Sequence, residues 1–139
     1  MNDNLLFFLG AVGIVGLLVL GTVFFTRKGP RPIDVERYRS RWLSIEQGVK
    51  RDEPNSYVVA LLNADKLLDQ ALQDRGFNGT KTAERMKAAN AKWSNADAVW
   101  SAHKLRNRVA HEQDIKVSFD ETRRALSGFK QALKELGAL

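Results

Sequence analysis

Residues 5–25, LLFFLGAVGIVGLLVLGTVFF, form 21 consecutive residues without a charge. A helix of that length spans roughly 31 Å, the thickness of a bilayer's hydrocarbon core. The run is apolar on every side, so it lacks the polar face that a helix at the edge of a folded core presents to water. Burial inside a domain is therefore the poorer reading, and a membrane-spanning helix the better one.

The flanks refine this. MNDN precedes the run, with an acid and no positive charge, and TRKGPRP follows it with no small-x-small cleavage site. A cleaved signal peptide fits neither flank, and the run is longer than a usual signal core. We expect a retained anchor over residues 1–26, a basic Pro/Gly linker over 27–32 and a helical domain over 33–139. Arg27, Lys28 and Arg31 follow the span, while Asp3 precedes it. Lys and Arg are retained on the cytoplasmic side, which predicts a single-pass protein of the cell membrane with its C-terminal domain in the cytoplasm.

All 22 Lys and Arg residues follow the run, against 15 of the 16 acids, so the remainder carries a net charge of +7. That permits nucleic acid as a partner without arguing for it, because an anionic membrane surface accounts for the juxtamembrane cluster equally well. There is no cysteine. Disulfide scaffolds and thiol chemistry are excluded, in keeping with a reducing compartment.

Pro30 and Pro32 end the anchor helix and lead into the next. Val35, Tyr38, Trp42, Ile45 and Val49 recur at intervals of three and four, predicting a helix from about Ile33 to Lys50. Pro54 breaks it, and Asn55 or Ser56 caps a second helix to about Arg75. Tyr57, Leu61, Ala64, Leu68 and Ala71 share one face of that helix, widened by Val58, Leu62 and Leu72, so we expect it at the centre. Asp65 and Asp69 lie within or beside this face; each either meets a buried partner or faces water at its edge. Gly76 suits a left-handed C-cap and Asn78-Gly79 a turn. A short helix follows from about Thr82 to Asn90, then one from about Asn95 to Glu112 capped by Ser94 or Asn95. Val99, Ala102, Leu105 or Arg106, and Val109 mark its buried side. Ser118 and Glu121 have capping-box spacing and open the last helix, which Gly137 ends. IKVSF reads as a loop. The soluble part is all-α, with four main helices and one short one.

KLRNRVAHE, Lys104 to Glu112, draws attention because it joins a basic cluster to an asparagine and one of only two histidines. Trp100, His103, Asn107 and His111 are three or four apart and line one ridge, with Arg106 flanking it. Three bland accounts compete with a site. Arg108 and His111 suit a helix C-terminus electrostatically. Arg106 can lock helices together by pairing with Asp65 or Asp69. Two histidines eight apart, without cysteine, supply too few ligands for zinc. We read no metal site and no cofactor.

RNRVAH, Arg106 to His111, resembles the R-N-x-x-x-H signature of HEPN domains, an all-helical nucleotide-binding fold of higher eukaryotes and prokaryotes. ADKLLDQALQDRGFNGTKTAERMKAA upstream is similar to the helices that lead to that motif in small bacterial HEPN-like proteins. The resemblance spans about residues 35–137. It implies a homodimer and, in many such domains, metal-independent cleavage of RNA at a composite site; others only bind RNA or partner proteins. On that resemblance Arg106, Asn107 and His111 are the candidate catalytic residues. His111 would move a proton at the ribose 2′-OH or the leaving oxygen, Arg106 would hold the scissile phosphate, and Asn107 would orient either. His103, Lys104 and Arg108 would assist binding. The rival expectation is a non-catalytic, membrane-tethered interaction module in which the motif is structural. Exposure of Arg106 and His111 on one concave face keeps catalysis open, whereas Arg106 held against Asp65 or Asp69 within one chain weakens it.

Overall fold

The computed structural model describes residues 2–26 and 29–139. Arg27 and Lys28, which carry part of the orientation argument, lie outside the described residues.

Among the described residues the fold is built from six α-helices: α1 Asp3–Thr26, α2 Val35–Gly48, α3 Pro54–Asp74, α4 Thr82–Ala88, α5 Ala96–His111 and α6 Phe119–Glu135. A 3-10 turn, Asn90–Lys92, follows α4. α1 is long and apolar enough to cross a membrane, and none of its apolar stretch is buried. Phe7 is 84% exposed and Leu17 71%. Exposing so much apolar surface to water is costly, which is consistent with a membrane association of α1.

The remaining helices enclose one core. α3 is its axis and packs against α2, α4, α5 and α6. Leu61, Ala64, Leu68, Ala71 and Leu72 on α3 are fully buried, as are Phe129 and Leu133 on α6. The 3.6-residue repeat read along α3 is therefore the repeat that is packed, and the central position expected for this helix is the observed one.

Helix ends follow local chemistry. The Asp34 carboxylate accepts from the Arg37 N–H at 3.1 Å and starts α2. Asn95 caps α5 by accepting from the Ala98 N–H. Ser94, the alternative cap, instead contacts the Glu135 carboxylate on α6. Ser118 and Glu121 form both halves of the capping box of α6. The start of α3 differs from expectation: Pro54 opens the helix rather than stopping the chain before it. Proline lacks only an N–H that the first turn would leave unpaired. Ser56 is then inside the first turn, where its hydroxyl bonds back to the Lys50 backbone.

α3 closes on Gly76 at φ +79°, the left-handed geometry expected of a glycine cap. Pro30 lies directly over this glycine, so that a Cβ there would come within 3.1 Å of the Pro30 nitrogen. The Arg31 N–H donates to the Asp74 carbonyl at 2.6 Å. The end of the linker is thus docked on the end of the central helix.

Candidate functional site

Arg106, Asn107 and His111 occupy the last turns of α5. Successive residues of a helix are about 100° apart. Arg106 and His111, five apart, therefore point about 140° away from each other, while Asn107 and His111 are about 40° apart. Arg106 turns toward α3 and is half-buried, Asn107 sits at the boundary, and His111 is exposed. The three residues do not converge within one chain.

What converges instead is a closed ring of four side chains. Asp65 on α3 is 2% exposed, and its Oδ1 lies 2.7 Å from His103 Nδ1. Its Oδ2 lies 3.2 Å from Arg106 Nε. That N–H is not aligned on the oxygen, so the contact is an ion pair rather than a directed hydrogen bond. Arg106 Nη1 donates to Asn107 Oδ1 at 2.8 Å, and Asn107 Nδ2 stands 3.2 Å from His103 Nε2.

Donor and acceptor roles around the ring are mutually determined. A guanidinium can only donate, so Asn107 must present its oxygen to Arg106 and its amide N–H to His103. His103 Nε2 is then an acceptor, which places the imidazole proton on Nδ1, facing Asp65 Oδ1. The result pairs one carboxylate with one guanidinium through a neutral imidazole and an amide. Three of the four contacts have hydrogen-bond geometry; at the fourth the buried Arg106 N–H is balanced by charge alone.

Along the ridge expected from spacing, Trp100, His103 and Asn107 are in contact. His103, expected to assist binding together with Lys104 and Arg108, is buried at 7% exposure. Trp100 packs edge-on against it, with ring centroids 6.2 Å apart. Hydrophobic spacing could not reveal this, because a histidine on a buried face reads as polar until its carboxylate partner on another helix is known. Lys104, Arg108 and His111 are exposed. Arg108 pairs with Glu112 at 3.3 Å, as befits a solvated helix end.

Asp69 takes a different partner from Asp65. Arg85 on α4 grips it with two contacts, Nε–Oδ1 at 2.8 Å and Nη2–Oδ2 at 3.1 Å, and Gln73 adds a bond at 2.7 Å. Arg85 went unnoticed in the sequence because nothing in a seven-residue helix announces a partner sixteen residues upstream. Burial alone would raise the Asp69 carboxyl, but hydrogen bonds from Arg85, Thr82 and Gln73 outweigh it and hold the group below its ordinary value. A carboxyl depressed on folding contributes stability above its unfolded value and loses it as pH falls through the folded one. Asp69→Asn should therefore cost about 1–2 kcal/mol at neutral pH. Its stability should also fall less steeply than the wild type's from about pH 4 downward. Chemical denaturation at neutral and acid pH checks both; parallel pH profiles would refute the assignment.

A groove of about 640 Å³ runs between α5 and α6, lined by Ala98, Ser101, Leu105 and Gly128 among others. Arg106, Asn107 and His111 do not line it. No group of three or more His, Asp or Glu side chains among the described residues is placed to hold a metal ion. Comparison with protein-family models, curated proteins and solved structures finds no match to the chain.

Proposed function

We propose that the chain is a single-pass membrane protein whose HEPN-like helical domain acts as an interaction module, with the RNxxxH segment clamping α5 to α3. The observation that supports this reading is the engagement of Arg106. Its guanidinium is held by Asp65 Oδ2 and Asn107 Oδ1 of the same chain, while the helix directs His111 elsewhere. A phosphate-binding arginine needs its charge available, and here a buried carboxylate already balances it. The anchor reading rests on the length and apolarity of the Asp3–Val23 stretch, none of which is buried.

A second reading keeps one observation in its favour. His111 is exposed on the same face of α5 as Lys104, two turns earlier, and the angle of about 140° between Arg106 and His111 allows a composite site only across two copies. In that case RNA cleavage requires a homodimer. The test uses the full chain in detergent, incubated with labelled RNA in EDTA, beside His111→Ala. The interaction-module reading expects no cleavage by either. Cleavage by the wild type that is lost in His111→Ala, with a rate rising more than linearly with protein, would establish the ribonuclease instead.

A further inference from the structure

A pocket of about 380 Å³ lies where the linker meets the domain, lined by Arg31, Arg37 and Arg41 together with Asp34, Tyr38 and Asp74. Arg37 and Arg41 are one turn apart on α2, so both project from the same face. Arg31 joins them because its backbone is tied to the Asp74 carbonyl. Three arginines, one from the linker and two from α2, thus line one pocket.

The two acids in the pocket keep their charge, so its three arginines leave a net charge of +1, but each acid is turned to a neutral donor. Asp34 caps α2 through the Arg37 N–H at 3.1 Å, and Asp74 Oδ2 accepts from the Tyr38 hydroxyl at 2.8 Å. Neither forms an ion pair with these arginines, and no carboxylate among the described residues does. Arg41 Nη1 donates to Gln70 Oε1 at 2.7 Å, a neutral partner that orients the guanidinium without forming a salt bridge. Three arginines without a salt bridge in a pocket of net positive charge suit a phosphate, which accepts from guanidinium N–H pairs in a planar fork.

Position says which phosphate. Arg31 follows the last residue of α1, Thr26, by five residues. Even fully extended, that stretch reaches about 18 Å. A pocket tied so closely to a membrane helix lies at or near the lipid headgroups, where phosphate is far more concentrated than in solution. We propose that Arg31, Arg37 and Arg41 form a binding site for the headgroup of an anionic phospholipid. The proposal rests on α1 being the membrane anchor, but not on whether the domain cleaves RNA.

The test reconstitutes the full chain in nanodiscs of phosphatidylcholine, alone or with a minority of phosphatidylglycerol. It follows backbone hydrogen exchange. With the anionic lipid in about tenfold excess over half-saturation, amides near the pocket, in Arg31–Arg41 and Gln70–Asp74, should exchange about tenfold more slowly. Arg37→Gln/Arg41→Gln should all but abolish the slowing, and Arg31→Gln alone should reduce it to about threefold, since each arginine near an anionic surface is worth about fivefold. All three side chains are exposed, and unchanged helical dichroism verifies folding. Equal exchange in both lipids overturns the site, as does slowing that survives the double substitution. Inorganic phosphate or a short RNA producing the same slowing in phosphatidylcholine discs overturns the lipid assignment. Failure of the chain to float with phosphatidylcholine vesicles overturns the anchor reading and the site with it; flotation without selective slowing overturns the site alone.

Discussion

Asp65→Ala should lower the stability of the helical domain by about 3 kcal/mol, the low end of the usual cost of orphaning a buried charge. The substitution strands His103 Nδ1, which loses its acceptor at 2.7 Å, and leaves Arg106 without its carboxylate. The low end is appropriate because the Arg106 side chain is 31% exposed and can recover some water. For a domain of this size such a loss lowers Tm by roughly 12–20 °C. Asp65→Asn retains an acceptor for the imidazole and should cost less. His111→Ala touches no partner among the described residues and should stay within about 0.5 kcal/mol. A double-mutant cycle between Asp65→Ala and Arg106→Met should return a coupling above about 1 kcal/mol. If Asp65→Ala melts within about 2 °C of the wild type, the ring is not the clamp described above.

Gly128→Ala should destabilise by about 2 kcal/mol although alanine is the better helix former. Gly128 is buried on α6 against the backbone of α5, where an added Cβ would stand 2.8 Å from the Ala98 carbonyl oxygen. Backbone cannot move aside as a flexible side chain would. Relieving the overlap means separating the two helices, which outweighs the roughly 1 kcal/mol of helix propensity gained. Gly48→Ala, at the end of α2 with nothing within 4 Å of its added Cβ, is the control and should be neutral or slightly stabilising. Thermal melting of the two variants side by side settles it. A Gly128→Ala protein at least as stable as Gly48→Ala would mean that α5 and α6 have room between them.

Those two sites also mark how far the sequence could be read. Helices were legible wherever burial follows a simple period: the Tyr57-to-Ala71 stripe of α3 and the capping box of α6 are local patterns. The inward turn of His103 and the pairing of Asp69 with Arg85 were not legible. Both depend on which face of one helix meets which face of another, and apolar periodicity is silent about polar side chains in a core. The candidate site was half legible. Spacing singled out Arg106 and named Asp65 as a possible partner, one of two carboxylates considered. It could not show that Asn107 links Arg106 to His103, since that link is set by packing against α3. The tight approach at Gly128 left no trace either, because a glycine inside a helical repeat gives no sign of what lies opposite.

The docked linker has a mechanical consequence. Pro30 rests on Gly76, and the Arg31 N–H holds the Asp74 carbonyl. A pull transmitted from α1 therefore loads the C-terminal end of α3 as well as the start of α2. Because α3 is the helix around which the others are packed, tension is shared with the middle of the bundle instead of peeling its first helix away. Were α1 held in a bilayer, the tether would thus be seated on the central helix through the hydrogen bond at Arg31.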